Sequence, residues 1–275
     1  MTVAFREADR IVWRNAAPGI VADSRRVPEE TPVAFSYEGV SYAVMMATPT
    51  DLEDFAVGFS LNERIIGAPD DIEALDIVTA ENGIVLRMEL AETPADGFWR
   101  RRRRIAGPSG CGLCGIESLA EASAHPARVG AGFSVSATEV FAAMQALPAL
   151  QPVNRLTGAL HAAAFWTPGE GIVLVREDVG RHNALDKLAG AAARAGRRGG
   201  DGAVLLTSRV SVEMVQKAAA LGAAVVVAVS APTALALRAA EAAGITLIGV
   251  ARRDGFEVFT HTHRINDVGA LFQPA

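Results

Sequence analysis

Four short apolar runs in the second half of the chain, Ile172–Val175, Ala203–Leu206, Ala223–Val229 and Ile245–Val250, alternate with segments of helical pattern near 181–195, 211–221 and 232–243. An uninterrupted apolar run buries both faces of a strand, so helices must cover both sides of the sheet that such runs build. Strand and helix in alternation over this length define an α/β domain. The upstream pattern differs. Val33–Tyr37 and Val40–Met46 flank Glu38-Gly39 and read as a hairpin, and Leu75–Leu90 reads as a second one around Asn82-Gly83, a dipeptide that tolerates positive φ. Between them Thr50-Asp51-Leu52-Glu53 carries the capping-box pattern and opens a helix that buries Leu52, Phe55 and Phe59. Ser136-Ala137-Thr138-Glu139 is another capping box, whereas the first 25 or so residues read as irregular. Pro94 to Gly110 is a break in composition. The expected organisation is a small α+β unit over 1–98, followed by an α/β unit over 99–275 that begins with an arginine- and cysteine-bearing loop.

Composition narrows the function classes. Half of the 275 residues are hydrophobic, which excludes wholesale disorder and gives enough chain to bury a core without disulfides. The net charge of -5 argues against a nucleic-acid coat protein. The basic residues are arginines except Lys187 and Lys217. The longest apolar run, 223–229, is far shorter than the roughly 20 residues of a membrane-spanning helix. The N-terminus, MTVAFREADRIVWRN, is too charged for the apolar stretch of about 7–15 residues that a secretion signal needs. A cytoplasmic protein that engages neither membrane nor nucleic acid is therefore expected. In a reducing compartment its only cysteines, Cys111 and Cys114, point to metal or sulfur chemistry before a structural staple.

Those cysteines stand in Gly107-Pro-Ser-Gly-Cys-Gly-Leu-Cys-Gly115. Glycines supply no packing surface, so a buried structural pair is disfavoured. A zinc half-site lacks its remaining ligands, because there is no second cysteine pair and no spacing singles out His125 or His161. The favoured reading is a reactive thiol: the neighbouring Arg100–Arg104 run stabilises thiolate, and thiolate is the nucleophile in sulfur exchange. The run itself reads either as solvated surface or as a site for an anion or an acidic partner. A second locus is Glu177-Asp-Val-Gly-Arg-His-Asn-Ala-Leu-Asp-Lys187, where a strand gives way to a helix. There Gly180 permits close backbone approach, and Arg181, His182 and Asn183 offer donors suited to an anion. Thr207-Ser208-Arg209, Ser230-Ala231-Pro232-Thr233 and Val250-Ala251-Arg252-Arg253-Asp254-Gly255 follow the next three strands. Ligands of open α/β sheets bind outside the carboxyl ends of the strands, so these segments predict one polar cleft. None is a Walker loop or a GxGxxG fingerprint. His161 reads as a core or cap residue, and His261 and His263 as solvent-facing.

Taken together, SGCGLCG (109–115), EDVGRHNALDK (177–187), SVEMVQKA (211–218) and SAPTALA (230–236), in this order, resemble the FdhD family, the formate dehydrogenase accessory sulfurtransferases. The resemblance runs from the N-terminal hairpins to about Arg264. It implies a cytidine deaminase-like three-layer α/β domain with a smaller N-terminal domain, and a homodimer. It further implies that persulfide sulfur from a cysteine desulfurase is received on Cys111, with Cys114 as its partner, and passed to the molybdenum bis(molybdopterin guanine dinucleotide) cofactor destined for formate dehydrogenase. On that basis the cofactor-contact segment is Val250–Gly255, the cofactor is a bound substrate, and no protein-bound metal is expected. Cys114 either expels sulfide by attacking Cys111 or only tunes it. The chain departs from the family pattern at Gly158-Ala159, where Gly-Gly is usual, and at Thr207-Ser208-Arg209, where Ser-Gly-Arg is usual.

The implied fold raises a rival chemistry, zinc-dependent deamination. That reaction needs a His- or Cys-x-Glu segment followed by Pro-Cys-x-x-Cys. Here the cysteines precede His161, no proline adjoins Cys111, and Ala163 stands where the glutamate is needed, so the proton shuttle is missing. The remaining alternative is a non-catalytic cofactor-binding chaperone for the dehydrogenase.

Overall fold

The computed structural model describes residues 3–15, 19–91 and 126–266. The expected 98/99 boundary lies outside these residues.

The fold is mixed α/β with three sheets. Residues 5–13 and 20–28 correct the expectation of irregular chain: β1 (Phe5–Trp13) and β2 (Ile20–Pro28) form an antiparallel ribbon paired from Phe5↔Pro28 to Trp13↔Ile20. Its pattern is hidden in the sequence because it has no core face. Cross-strand ion pairs, Arg10–Asp23 at 2.6 Å among them, replace apolar alternation, and Ile11, Trp13, Ile20 and Val21 are exposed. Arg25 ties the ribbon to the body by donating to the Thr157 carbonyl at 2.7 Å.

β3 (Thr31–Tyr37), β4 (Val40–Ala47), β5 (Ile72–Ala80) and β6 (Gly83–Leu90) form the second sheet in the order β4-β3-β6-β5. The first hairpin turns at Glu38-Gly39 as expected, both with positive φ. In the second, Glu81 and Asn82 form the turn, and of the Asn-Gly pair only Gly83 takes positive φ. A Cβ on Gly83 would lie 2.3 Å from the Pro32 carbonyl oxygen, so close backbone approach requires glycine there as well. α1 (Leu52–Asn62) covers one face of this sheet. Phe35 stacks on Phe59 at 4.0 Å and meets Phe55 edge-on at 5.0 Å, burying all three rings. The expected capping box is absent: Asp51, in the left-handed region, is the N-cap and no side chain caps the helix. Asp51 and Glu53 are instead drawn to the other half of the molecule, where Asp51 pairs with Arg176 at 3.6 Å and Glu53 with Arg194 at 2.5 Å.

The third sheet has six strands in the order β12-β11-β10-β9-β7-β8. They are β7 (His161–Thr167), β8 (Gly171–Asp178), β9 (Ala203–Leu206), β10 (Val225–Ala228), β11 (Thr246–Arg252) and β12 (Gly255–Val258). The four apolar runs correspond to β8 to β11. α2 (Ala137–Ala146) does carry its capping box, with Ser136 and Glu139 satisfying one another's backbone N–H groups. It and the short α3 (Pro152–Thr157) precede β7. α4 (Arg181–Arg194), α5 (Val212–Leu221) and α6 (Ala234–Ala243) share one core with one face of the sheet. α2 packs with the other face around Val140, Leu147, Leu205, Val227 and Ile248. Thr233 caps α6, so Pro232 lies just before the cap and outside the first turn. No described helix is long and apolar enough to cross a membrane.

The two larger sheets are joined where α1 crosses α4. A Cβ on Gly58 would lie 1.7 Å from the Asp186 carbonyl oxygen, and one on Gly190 would lie 1.9 Å from that of Asp54. Each glycine lets the opposing backbone approach. Gly190→Ala is expected to force the helices apart and to cost about 3 kcal/mol or more, read as a lower urea midpoint with both halves still unfolding together.

Candidate functional site

β7 runs antiparallel to both β8 and β9, and β9, β10 and β11 run parallel. The carboxyl ends of β8, β9, β10 and β11 therefore lie on one edge, which collects segments 178–181, 207–209, 229–231 and 250–255. Two contacts bind these loops together: Thr233 N–H donates to the Val210 carbonyl at 2.9 Å, and Val250 N–H to the Ser230 carbonyl at 3.3 Å. Val250 has a φ of 53°, unusual for a β-branched residue, and lies in β11 where its pairing with β12 shifts register between Gly249 and Arg252. Arg253 and Asp254 form the turn into β12, closed by the Arg252↔Gly255 pairing, and Arg252, Arg253 and Asp254 are all exposed. Ala251 is buried in the core under the sheet.

A buried carboxylate organises the β8 end of this edge. Asp178 Oδ2 pairs with Lys187 Nζ at 2.7 Å, with both side chains wholly buried, and accepts from Thr48 N–H at 3.0 Å. Its Oδ1 accepts from Gly180 N–H at 2.8 Å and from the Asn183 amide at 3.0 Å. Lys187 also donates to the Thr48 carbonyl at 2.8 Å and lies 5.5 Å from the centre of the Phe55 ring. Val179 N–H donates to Thr48 Oγ1 at 3.1 Å, and the Asn183 amide to the Met46 carbonyl at 2.8 Å. The end of β4 is thereby fastened to the start of α4. The preceding residue, Glu177, accepts from Val153 and Asn154 N–H groups and holds the start of α3. Burial raises its pKa, against those two donors.

This network corrects several expectations. Asn183, expected to contact ligand, commits its amide to Asp178 and Met46. His182 is 2% exposed and belongs to the buried face of α4. The space beside Gly180 is filled by Asn183, whose amide nitrogen would lie 2.9 Å from a Cβ there, so the glycine serves internal packing. Ser208 is 4% exposed and donates to the Arg209 carbonyl at 2.9 Å. The groups the edge does present are Arg181, Arg209, Ser230, Arg252 and Arg253, half-buried or exposed. Among the described residues none of these four arginines forms an ion pair. On the opposite flank Arg176 and Arg194 both pair with Asp54. Cys111, Cys114 and Arg100–Arg104 lie outside the described residues.

Reading the sequence missed the Asp178–Lys187–Thr48 network, and a signal for it was present. The chain's two lysines are 187 and 217, and Lys217 pairs with the buried Asp186, which also accepts from the Asn62 amide at 2.6 Å. A buried site with one carboxylate and one carbonyl suits a compact ammonium better than a planar guanidinium fork. Isolated lysines in an arginine-rich chain therefore mark such sites. His161, expected to be a core or cap residue, opens β7 at this same edge and is half-buried.

These features define an α/β protein whose parallel-strand edge presents arginines that form no ion pair among the described residues and is locked to a second sheet by a buried ion pair. The chain belongs to the FdhD/NarQ family, whose sequence model matches residues 28–266. It is 51% identical over 263 residues to the Agrobacterium fabrum protein named sulfur carrier protein FdhD, covering 95% of this chain and 96% of that one. It is 50% identical over 259 residues to the protein of the same name from Cupriavidus necator, covering 94% and 89%. The fold matches, with a TM-score of 0.75 at 23% identity, a Desulfotalea psychrophila crystal structure of a protein proposed to be a formate dehydrogenase accessory protein, covering 96% of this chain and all of that one.

Removing Lys187 strands a buried carboxylate. Lys187→Met is expected to destabilise the protein by about 3–5 kcal/mol, measured by urea unfolding at neutral pH. Adding Asp178→Leu to it should recover part of that loss, because the double variant buries no unpaired charge.

Proposed function

We propose that this protein is a sulfur carrier that accepts persulfide sulfur from a cysteine desulfurase on Cys111 and delivers it to the molybdenum bis(molybdopterin guanine dinucleotide) cofactor, for use by formate dehydrogenase. The observation that carries this reading is the close likeness, over nearly the whole chain, to proteins named sulfur carrier protein FdhD. Its support within the molecule is the strand-end edge. An anionic dinucleotide needs donors that are not already paired; among the described residues Arg181, Arg209, Arg252 and Arg253 form no ion pair, and Arg252 spends only its Nε, on the Val229 carbonyl at 3.4 Å. In this reading the two-unit organisation and the deaminase-like three-layer architecture are the scaffold, a second copy completes a homodimer, and the cytoplasm keeps the thiols reduced.

In the first step the Cys111 thiolate attacks the outer sulfur of the donor persulfide. A new S–S bond forms, the donor S–S bond breaks, and the desulfurase cysteine leaves as thiolate. In the second step the Cys114 thiolate attacks Cys111 Sγ and expels hydrosulfide. The cysteine pair is oxidised to a disulfide while the transferred sulfur is reduced to the oxidation state of sulfide, and a cellular thiol must reduce the disulfide before the next cycle. Hydrosulfide is the species offered to the cofactor. In this reading the protein contributes the thiol pair beside the arginine run, whose charge favours thiolate, and retention of the cofactor through its phosphates at the strand-end edge.

Intact-mass measurement after incubation with a desulfurase and cysteine should show a gain of one sulfur, about 32 Da, in wild type and in Cys114→Ala but not in Cys111→Ala. Cys111→Ala should also leave formate dehydrogenase inactive in cells at normal carrier levels. An active dehydrogenase with that variant would favour the cofactor-chaperone reading instead. Arg252→Glu should load persulfide normally yet bind guanosine diphosphate, a probe for the dinucleotide end, about tenfold more weakly through loss of one charge-assisted contact.

A further inference from the structure

Two basic side chains, His161 and Arg181, stand at the strand-end edge without an ion pair or side-chain hydrogen bond among the described residues. β7 lies antiparallel between β8 and β9, so His161, its first residue, stands where its neighbours end, in register with Asp178. The approach to His161 is fixed: Leu160 N–H donates to Asn154 Oδ1 at 3.1 Å, and the Asn154 backbone is held by Glu177. The exit is fixed as well, because Ala162 N–H donates to Thr207 Oγ1 at 2.8 Å and Thr207 N–H donates back to the Ala162 carbonyl at 3.1 Å. Arg181 opens α4 three residues after Asp178 and lies near enough to His161 to perturb its ring. Among the described residues the His161 ring makes no hydrogen bond, and Arg181 makes no ion pair while its Nε is buried without a hydrogen-bond partner. The carboxylate paired in register with His161, Asp178, already accepts from Lys187, Thr48, Gly180 and Asn183.

A buried guanidinium N–H without an acceptor is costly, and adjacent imidazole and guanidinium groups disfavour one another's charge. An anion set between them relieves both. We propose that His161 and Arg181 together form a phosphate-reading pair, each donating to the diphosphate of the dinucleotide bound at this edge. This rests on the cofactor-binding reading above and deepens it by assigning a role to His161.

A consequence concerns protons. Burial, and then the Arg181 charge, hold the His161 pKa below the usual imidazole range, so the ring is neutral in the free protein at pH 7. The groups facing it are Arg181 from α4, Asp178 from β8, which acts weakly in the opposite direction, and the uncharged Thr207 from β9. Arg25 of β2 reaches only the Thr157 carbonyl behind it. A diphosphate between His161 and Arg181 raises the imidazole pKa, so binding takes up a proton. By linkage, affinity then rises as pH falls from 8 towards 6.

The test is calorimetric titration of the full chain with guanosine diphosphate and, separately, with inorganic pyrophosphate. Each is run at pH 6.5 and 7.5 in two buffers of different ionisation enthalpy, so that proton uptake is read independently of affinity. Wild type should bind both probes more tightly at pH 6.5 and take up a fraction of a proton. His161→Gln should abolish the uptake and weaken binding about tenfold at pH 6.5, and Arg181→Gln should weaken it about tenfold at both pH values. Arg181→Lys, which keeps the charge, should recover part of the loss if Arg181→Gln folds poorly. Wild-type binding that ignores both the His161 and Arg181 substitutions would overturn the pair while leaving the cofactor-binding reading intact. Failure of wild type to bind either probe would remove that reading and the pair with it.

Discussion

The ion pair between Lys187 and Asp178 is the interaction on which the rest of the molecule depends. Removing two charges from water costs several kcal/mol each, and their attraction offsets this only when the remaining donors and acceptors are satisfied. Here they are: the carboxylate accepts from two backbone N–H groups and one side-chain amide besides the ammonium, and the ammonium reaches a carbonyl and an aromatic face. Those partners come from both sides of the molecule. Thr48 follows β4, whereas Gly180, Asn183 and Lys187 belong to the β8–α4 junction. The cluster is therefore satisfied only when the two sheets are docked, which ties the geometry of the strand-end edge to the docking itself.

The second constraint, the glycine crossing of α1 and α4, acts through shape. Gly58 and Gly190 bring two backbones into contact at a distance no Cβ tolerates. The polar cluster at the amino end of α4 and this crossing further along it secure one helix at two points. On this architecture the small sheet and the large one do not behave as independent units. A core mutation around Phe35 or Phe59 is felt at Thr48, and through Thr48 at Asp178 and the start of α4. That route links packing in a part of the chain without strand-end residues to the placement of Arg181.

Much of this was legible in the sequence, unevenly and for physical reasons. The runs that became β8 to β11 stood out because strands within a covered sheet need apolar residues in succession. Gathering of their ends at one edge followed from parallel topology. The β1–β2 ribbon was not legible, because charges and exposed apolar residues alternate without a core to select between faces. The capping box at Thr50 was a false signal, because tertiary contacts claimed the residues around it. The EDVGRHNALDK segment was read as a ligand loop because its polar residues follow a strand. Most of those side chains, Asp178, Asn183 and Lys187 among them, satisfy one another inside the protein, and of the three expected donors only Arg181 remains at the edge. Polar residues at a strand end report either a ligand or a buried network. Sequence position alone does not separate the two, whereas the identity of the basic residue, lysine amid arginines, does.

The same distinction explains how a chain with a net charge of -5 can present a cationic edge. Net charge governs long-range behaviour, but recognition of an anion is decided within a Debye length, about 10 Å at ordinary ionic strength. Several arginines elsewhere are neutralised locally, by Asp23 at Arg10, Asp54 at Arg176 and Arg194, and Glu170 at Arg197. Both lysines are consumed by buried carboxylates. At the strand end of β8 the carboxylate of Asp178 is already saturated by Lys187 and its amide partners, and the edge arginines form no ion pair among the described residues. The buried pair therefore does more than hold the sheets together. By committing both oxygens of Asp178 to other donors, it leaves Arg181 without that acid as a partner, which is a condition for the side chain to bind an anion.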